Sequence, residues 1–206
     1  MILVENVKNF IIYGEVFVLH VKKINLYIDE HKYNLVYLNY ISYLLFGGVC
    51  KMKVKTGYLY HIKDEYFDVV NDDNLMQNHE RGKKRPTYFT IKDKNILWFI
   101  PISSKVEKYQ KIIDKKIKKY GFCNTIMIRK IASSNAAILL QNAFPTIEKY
   151  IDHVHTVDGV PLKVPTDLQA EIKSMFKNML GLKKRGTNLF FADIDSLVEK
   201  MLKENK

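Results

Sequence analysis

Two β-prone apolar runs, separated by four residues that include a turn, constrain this chain more than any other feature. Thr87-Tyr88-Phe89-Thr90-Ile91 follows Pro86, which biases its predecessor to extended geometry. Ile96-Leu97-Trp98-Phe99-Ile100 is almost continuous in apolar side chains, and Asp93-Lys94-Asn95 between the runs reads as a turn. An antiparallel hairpin follows, its second strand expected to stop at Pro101. A hairpin returns the segment before its first strand and the segment after its second to the same end. Here those flanks are Lys83-Lys84-Arg85 and Pro101-Ile102-Ser103-Ser104-Lys105, one basic and one rich in hydroxyls.

The pattern around the hairpin predicts an α+β domain. Residues 58–62 alternate as a strand, 63–70 read as a short helix, and 71–85 are polar and turn-rich. Ser103 or Ser104 is suited to cap a helix that runs to about Tyr120 and ends at Gly121. Val106, Tyr109, Ile112, Ile113 and Ile117 recur on one side of it with lysines between them. Residues 125–131 and 136–140 read as short strands, and a helical turn after Pro145 leads into His153-Val154-His155. Thr166 is expected to cap a helix to about Leu180, and Asp193 to open a last helix to about Lys203. Strands dominate the first half, so the expected core is a small, strongly twisted antiparallel sheet or partly open barrel with surrounding helices.

Residues 1–51 are a different text. They are crowded with Ile, Leu, Val, Phe, Tyr, Asn and Lys, have no Pro or Arg, and show no clean period. Residues 33–50 carry no charge, which raises a membrane span, but Asn34, Asn39, Ser42, four tyrosines and Gly47-Gly48 argue against one. Met52 opens the well-patterned domain, and Gly47-Gly48 can be encoded by a ribosome-binding sequence. The expectation is therefore a non-native leader over 1–51 and a functional domain over 52–206. Peptides from 1–51 in protein isolated from its host would sink that expectation.

Charge narrows the partner. Among 206 residues, Lys and Arg number 33 and Asp and Glu 22, a formal charge of +11, and almost all of the excess lies after residue 51. Such a surplus favours an anionic partner, although a solvated lysine-rich surface produces the same count. The two cysteines, Cys50 and Cys123, have no metal-ligand spacing and suit a reducing cytoplasm. His153 and His155 share one face if extended, but no third metal ligand accompanies them, so they read as surface or groove residues. No P-loop, dinucleotide fingerprint, zinc-protease pattern, nucleophile elbow or carboxylate cluster for two metals occurs.

The converging flanks therefore carry the chemistry, if any does. A helix N-terminus beside Ser103 and Ser104 offers backbone N–H groups and a positive dipole end, a phosphate site. A ribonuclease that uses the RNA's own 2′-hydroxyl needs such a site, plus a base, an acid for the 5′-oxygen and donors for the phosphorane. The alternative is that Ser104 merely caps a helix and the lysine run is a solvated loop.

Several segments resemble the toxins of type III toxin–antitoxin systems, the ToxN/AbiQ group and its CptN branch in particular. They are Gly57-Tyr58-Leu59-Tyr60, Asp64-Glu65-Tyr66-Phe67, Leu75-Met76-Gln77-Asn78 and Lys84-Arg85-Pro86-Thr87-Tyr88-Phe89. Trp98 to Tyr109 and Leu140-Gln141-Asn142-Ala143-Phe144-Pro145 continue the likeness. The resemblance implies a MazF/Kid-like fold and a cytoplasmic endoribonuclease that needs neither metal nor cofactor. Its products would be a 2′,3′-cyclic phosphate and a 5′-hydroxyl, its substrate cellular or phage mRNA, and its role phage defence by abortive infection. It also implies inhibition by a small repeated pseudoknot RNA that the toxin processes, held in a closed toxin–RNA hetero-oligomer with no membrane contact. By position, the family's essential hydroxyl falls on Ser103-Ser104, with Ser104 the better match. One catalytic lysine falls on Lys105, another on Lys84 or Arg85, and the active-site tyrosine on Tyr66. Lys105 lacks the family's preceding proline. Lys83, Lys111, Lys115, Lys116, Lys118, Lys119, Lys183, Lys184 and Arg185 would then form the RNA groove, with Tyr66 and Tyr88 available to stack on bases and Phe144 in the core. A non-catalytic basic RNA-binding module is the competing reading.

Overall fold

The computed structural model describes residues 7–13, 16–21, 24–29, 54–80 and 82–205, giving only the backbone for those before residue 30 and for Glu80 and Lys83. The chain divides into two compact units, Met1–Lys55 and Thr56–Lys206. In the first, β1 (Val7–Tyr13), β2 (Val16–Val21) and β3 (Ile24–Asp29) form an antiparallel sheet in sequential order. These strands arise where the sequence shows no clean period; β-branched and aromatic residues carry them instead. The uncharged stretch 33–50 lies outside the described residues. Among the described residues no helix is long and apolar enough to cross a membrane.

The second unit is α+β. Its open seven-stranded antiparallel sheet uses β4 (Leu59–Ile62), β7 (Thr87–Asp93), β8 (Ile96–Ser103), β9 (Met127–Ile131), β10 (Ser134–Ile138), β11 (Phe144–Thr146) and β12 (Ile151–Val154), in the order β12-β4-β7-β8-β10-β9 with β11 also on β8. Two small hairpins lie off it, β5 (His79–Glu80) with β6 (Lys83–Lys84) and β13 (Thr156–Val157) with β14 (Val160–Pro161). Four helices surround it: α1 (Asp64–Val70), α2 (Val106–Tyr120), α3 (Thr166–Lys184) and α4 (Ile194–Glu204).

The expected hairpin forms, and its apolar second strand has a reason. Every residue of β8 is buried, because both faces of the sheet are covered. On one face Phe99 stacks on Phe89 at 5.1 Å and on Phe144 at 6.2 Å, with Tyr60 edge-on at 6.0 Å. On the other, Trp98 meets Phe176 of α3 at 5.4 Å. Aromatic contacts at such spacings add about 0.5–1.5 kcal/mol each beyond the area they bury. A bulge between Phe89 and Ile91 sharpens the local twist.

The strand does not stop at Pro101. It runs on to Ser103, because Pro101 sits between the segment paired with β11 (Leu97 to Phe99) and the segment paired with β10 (Ile102 and Ser103). At that change of partner the missing N–H interrupts no ladder bond, while the Pro101 carbonyl accepts from Leu139 N at 3.1 Å. This continuation also displaces the helix start. Ser103 is still a ladder residue opposite Ala137, so Lys105 occupies the cap position of α2 and no side chain caps it. Thr166 likewise does not cap α3; Pro165 does, its carbonyl accepting from Gln169 N at 2.9 Å. Asp193 caps α4 as expected, accepting from Ser196 N.

Helix α2 packs by a narrow stripe. Tyr109 is buried with Ile126, Ala137 and Leu139, and Ile112 and Ile113 are partly covered. Ile117, expected on that face, is 46% exposed.

Candidate active site

The hairpin positions the site. Thr87 pairs with Pro101, and Ile102 N donates to Pro86 O at 3.2 Å, so Arg85 and Ser103 leave the sheet side by side. Lys84, Arg85, Ser103, Ser104 and Lys105 line one open cleft of about 820 Å³, as the shared hairpin end requires. Ser133 of the β9–β10 turn, Ser134 and Asn135 at the start of β10, and His155 line it as well.

The two serines differ. Ser103 is 3% exposed and its hydroxyl accepts from Lys105 N at 3.3 Å, whereas Ser104 is exposed to the cleft. Only Ser104 can therefore reach a ligand without rearrangement. The start of α2 adjoins it, with the positive end of the helix dipole uncapped by any side chain.

The basic residues are held differently again. Lys84 Nζ donates to Asp152 at 2.9 Å and lies 3.5 Å from Asp64. The Asp152 bond, with both carboxylates nearby, pushes the Lys84 pKa up, so this ammonium remains charged. Burial raises the Asp152 carboxyl, but bonds from Lys84 and His153 outweigh it and hold the group below its ordinary range. Arg85 is buried, its backbone N donating to Asn78 O at 2.6 Å and its Nε to Gln77 O at 3.3 Å.

Tyr66 is not in the cleft. It is fully buried, its hydroxyl donates to Pro145 O at 2.7 Å, and burial drives its pKa well up. Tyr88 is 1% exposed and its hydroxyl is pushed up by desolvation, so it has no face free for a base. Phe144 is core, as expected.

The proposed groove lysines also separate. Lys111, Lys115, Lys118 and Lys119 are exposed on α2, and Lys184 and Arg185 are exposed at the end of α3. Lys116 turns inward, donating to Thr125 Oγ1 and Gln141 Oε1, both at 2.6 Å. Lys183 pairs with Asp195. None of these residues lines the cleft. The side chain of Lys83 lies outside the described residues.

Three histidines form a cluster. Their spacing placed His153 and His155 together, but only the fold adds His61, which faces His153 across the β4–β12 pairing. His61 stacks on His153 at 4.6 Å, and its Nε2 lies 2.9 Å from His155 Nδ1. Burial, then the neighbouring His153 and His155, lower the His61 pKa to about 4. Burial and His153 lower His155 as well. Among the described residues no group of three His, Cys, Asp or Glu side chains is arranged to hold a metal.

No family model and no curated sequence matches the chain. Solved structures do. One is AbiQ, a lactococcal anti-phage endoribonuclease of a type III toxin–antitoxin system, with 13% identity and a TM-score of 0.58 over 74% of this chain and all of AbiQ. Another comes from a study of bacterial type III toxin–antitoxin systems in which a non-coding RNA pseudoknot selectively inhibits the toxin. It has 14% identity and a TM-score of 0.55 over 74% of this chain and 99% of its own. At these identities the likeness is one of fold: the second unit shares the architecture of type III toxins.

Proposed function

We propose that the protein is an endoribonuclease toxin of the type III kind, its catalytic unit the C-terminal one. The observation that carries this reading is the gathering of Lys84, Arg85, Ser104 and Lys105 in one cleft at a helix N-terminus, on a fold shared with such toxins. An RNA strand enters with a phosphodiester against Ser104 and the first turn of α2. Ser104 holds the scissile phosphate and the 2′-hydroxyl, Lys105 grips a neighbouring phosphate, and Lys84 and Arg85 neutralise the charge that grows on the phosphorane. Each preorganised donor of this sort supplies about 3–4 kcal/mol. The 2′-oxygen attacks phosphorus and the 5′-oxygen leaves, giving a 2′,3′-cyclic phosphate without a metal. The inhibitor is a repeated pseudoknot RNA bound along the exposed lysines of α2 in a closed toxin–RNA assembly, as in the CptN branch, and the cellular effect is growth arrest or abortive infection.

Expression of the chain from an inducible promoter, beside Ser104→Ala, with and without the upstream DNA transcribed as RNA, tests this. Arrest by the wild type alone, relieved by the upstream RNA, is the expected result, and purified protein should cleave RNA in EDTA. RNA that stays intact while the protein still binds it would leave a non-catalytic RNA-binding module as the better account.

A further inference from the structure

The cleft holds an imidazole to which no role in cleavage has been assigned. His155 lines it together with Arg85, Ser104 and Lys105. Its backbone is pinned on both sides, N donating to Leu59 O at 2.8 Å and the carbonyl accepting from Leu162 N at 2.9 Å. Its ring is half-buried and oriented, because Nδ1 is 2.9 Å from His61 Nε2 and the His61 ring stands edge-on at 5.0 Å. That leaves Nε2 as the ring nitrogen with no partner among the described residues.

We infer that His155 takes the proton from the attacking 2′-hydroxyl, with His61 as the positioning residue that holds its ring. This rests on the ribonuclease reading. Lys84, Arg85 and the cleft serines are poor bases. Lys84 keeps its proton between two carboxylates, a guanidinium such as Arg85 does not give one up, and serine hydroxyls are too weakly basic.

In the step itself, the O2′–H bond breaks and its proton goes to Nε2 of neutral His155. The O2′ electron pair forms the new bond to phosphorus. The P–O5′ bond breaks, and O5′ takes a proton from water. The hydroxide so formed removes the proton from the imidazolium and restores the enzyme. The charged imidazolium keeps Nδ1–H, which donates to His61 Nε2. His61 must then carry its own proton on Nδ1, the buried atom that has no partner. Burial and the neighbouring His153 disfavour the charged state of His155, which favours return of the base to its neutral form. The charged and titratable groups around the ring are His61 of β4, His153 and Asp152 of β12, Lys84 of β6 and Arg85 after it, and Lys105 at the start of α2.

The test is single-turnover cleavage of a labelled pool of randomised single-stranded RNA by the full chain in EDTA. His155→Gln should slow cleavage by about 10²–10⁴-fold while leaving RNA affinity within about threefold. His155→Gly should be equally slow and regain activity in millimolar imidazole. The wild-type rate should fall on the acid side along a limb that His155→Gln lacks. Unchanged cleavage by His155→Gln, or a slow His155→Gly that imidazole does not rescue, overturns the inference while the ribonuclease reading stands. Wild-type protein that leaves the RNA intact overturns both.

Discussion

His61 Nε2 and His155 Nδ1 lie 2.9 Å apart, joining the sheet's interior to the wall of the cleft. His61 is 8% exposed and its pKa falls from 6.5 to about 4, chiefly through burial. The unfolded chain takes up a proton near pH 6.5, where the folded chain does not. Stability is thus complete above pH 6.5 and declines as pH falls towards 4, by up to about 3 kcal/mol. Urea unfolding followed by the fluorescence of Trp98, the chain's single tryptophan, should show a lower midpoint at pH 5 than at pH 7. His61→Asn should flatten that dependence; an equally steep one would place its origin elsewhere.

Lys84 acts through charge. Lys84→Met removes one cation and uncovers Asp152 and Asp64 beside the cleft. RNA affinity should weaken, and the dependence of log K on log salt should lose about 0.7 if one phosphate contact goes. An unchanged salt slope would mean that Lys84 only ties Asp152 in place.

Lys116 separates from its neighbours by direction. Lys116→Met strips the charged donor from Thr125 and Gln141 and should destabilise the fold by about 1.5–3 kcal/mol. Lys115→Met and Lys118→Met should leave the urea midpoint nearly unmoved and weaken binding of structured RNA instead. The reverse pattern would remove Lys115 and Lys118 from the RNA groove.

Tyr66→Phe deletes a buried hydroxyl that donates to Pro145 O at 2.7 Å. The expected result is a stability loss of about 1 kcal/mol with cleavage per folded molecule retained. Loss of cleavage in a fully folded Tyr66→Phe protein would return the hydroxyl to the mechanism.

By itself the sequence determined the hairpin, the convergence of its two flanks and the α+β class. These follow from local signals: the apolar runs of β7 and β8, a turn at Lys94 with φ +52°, and the antiparallel return of the chain. It did not show where β8 ends, because Pro101 is tolerated only through a change of strand partner that depends on β10 and β11, some forty residues on. Nor did it show that Ser103 is buried while Ser104 is exposed, or that Lys116 turns inward while Lys115 stays outside. Exposure depends on what packs from elsewhere: the strand pairing that buries Ser103, and the Thr125 and Gln141 side chains that draw Lys116 inward. The histidines show the same limit. His153-Val154-His155 is visible in the chain, but the partner that orients His155 lies 94 residues away, and only the pairing of β4 with β12 brings it there.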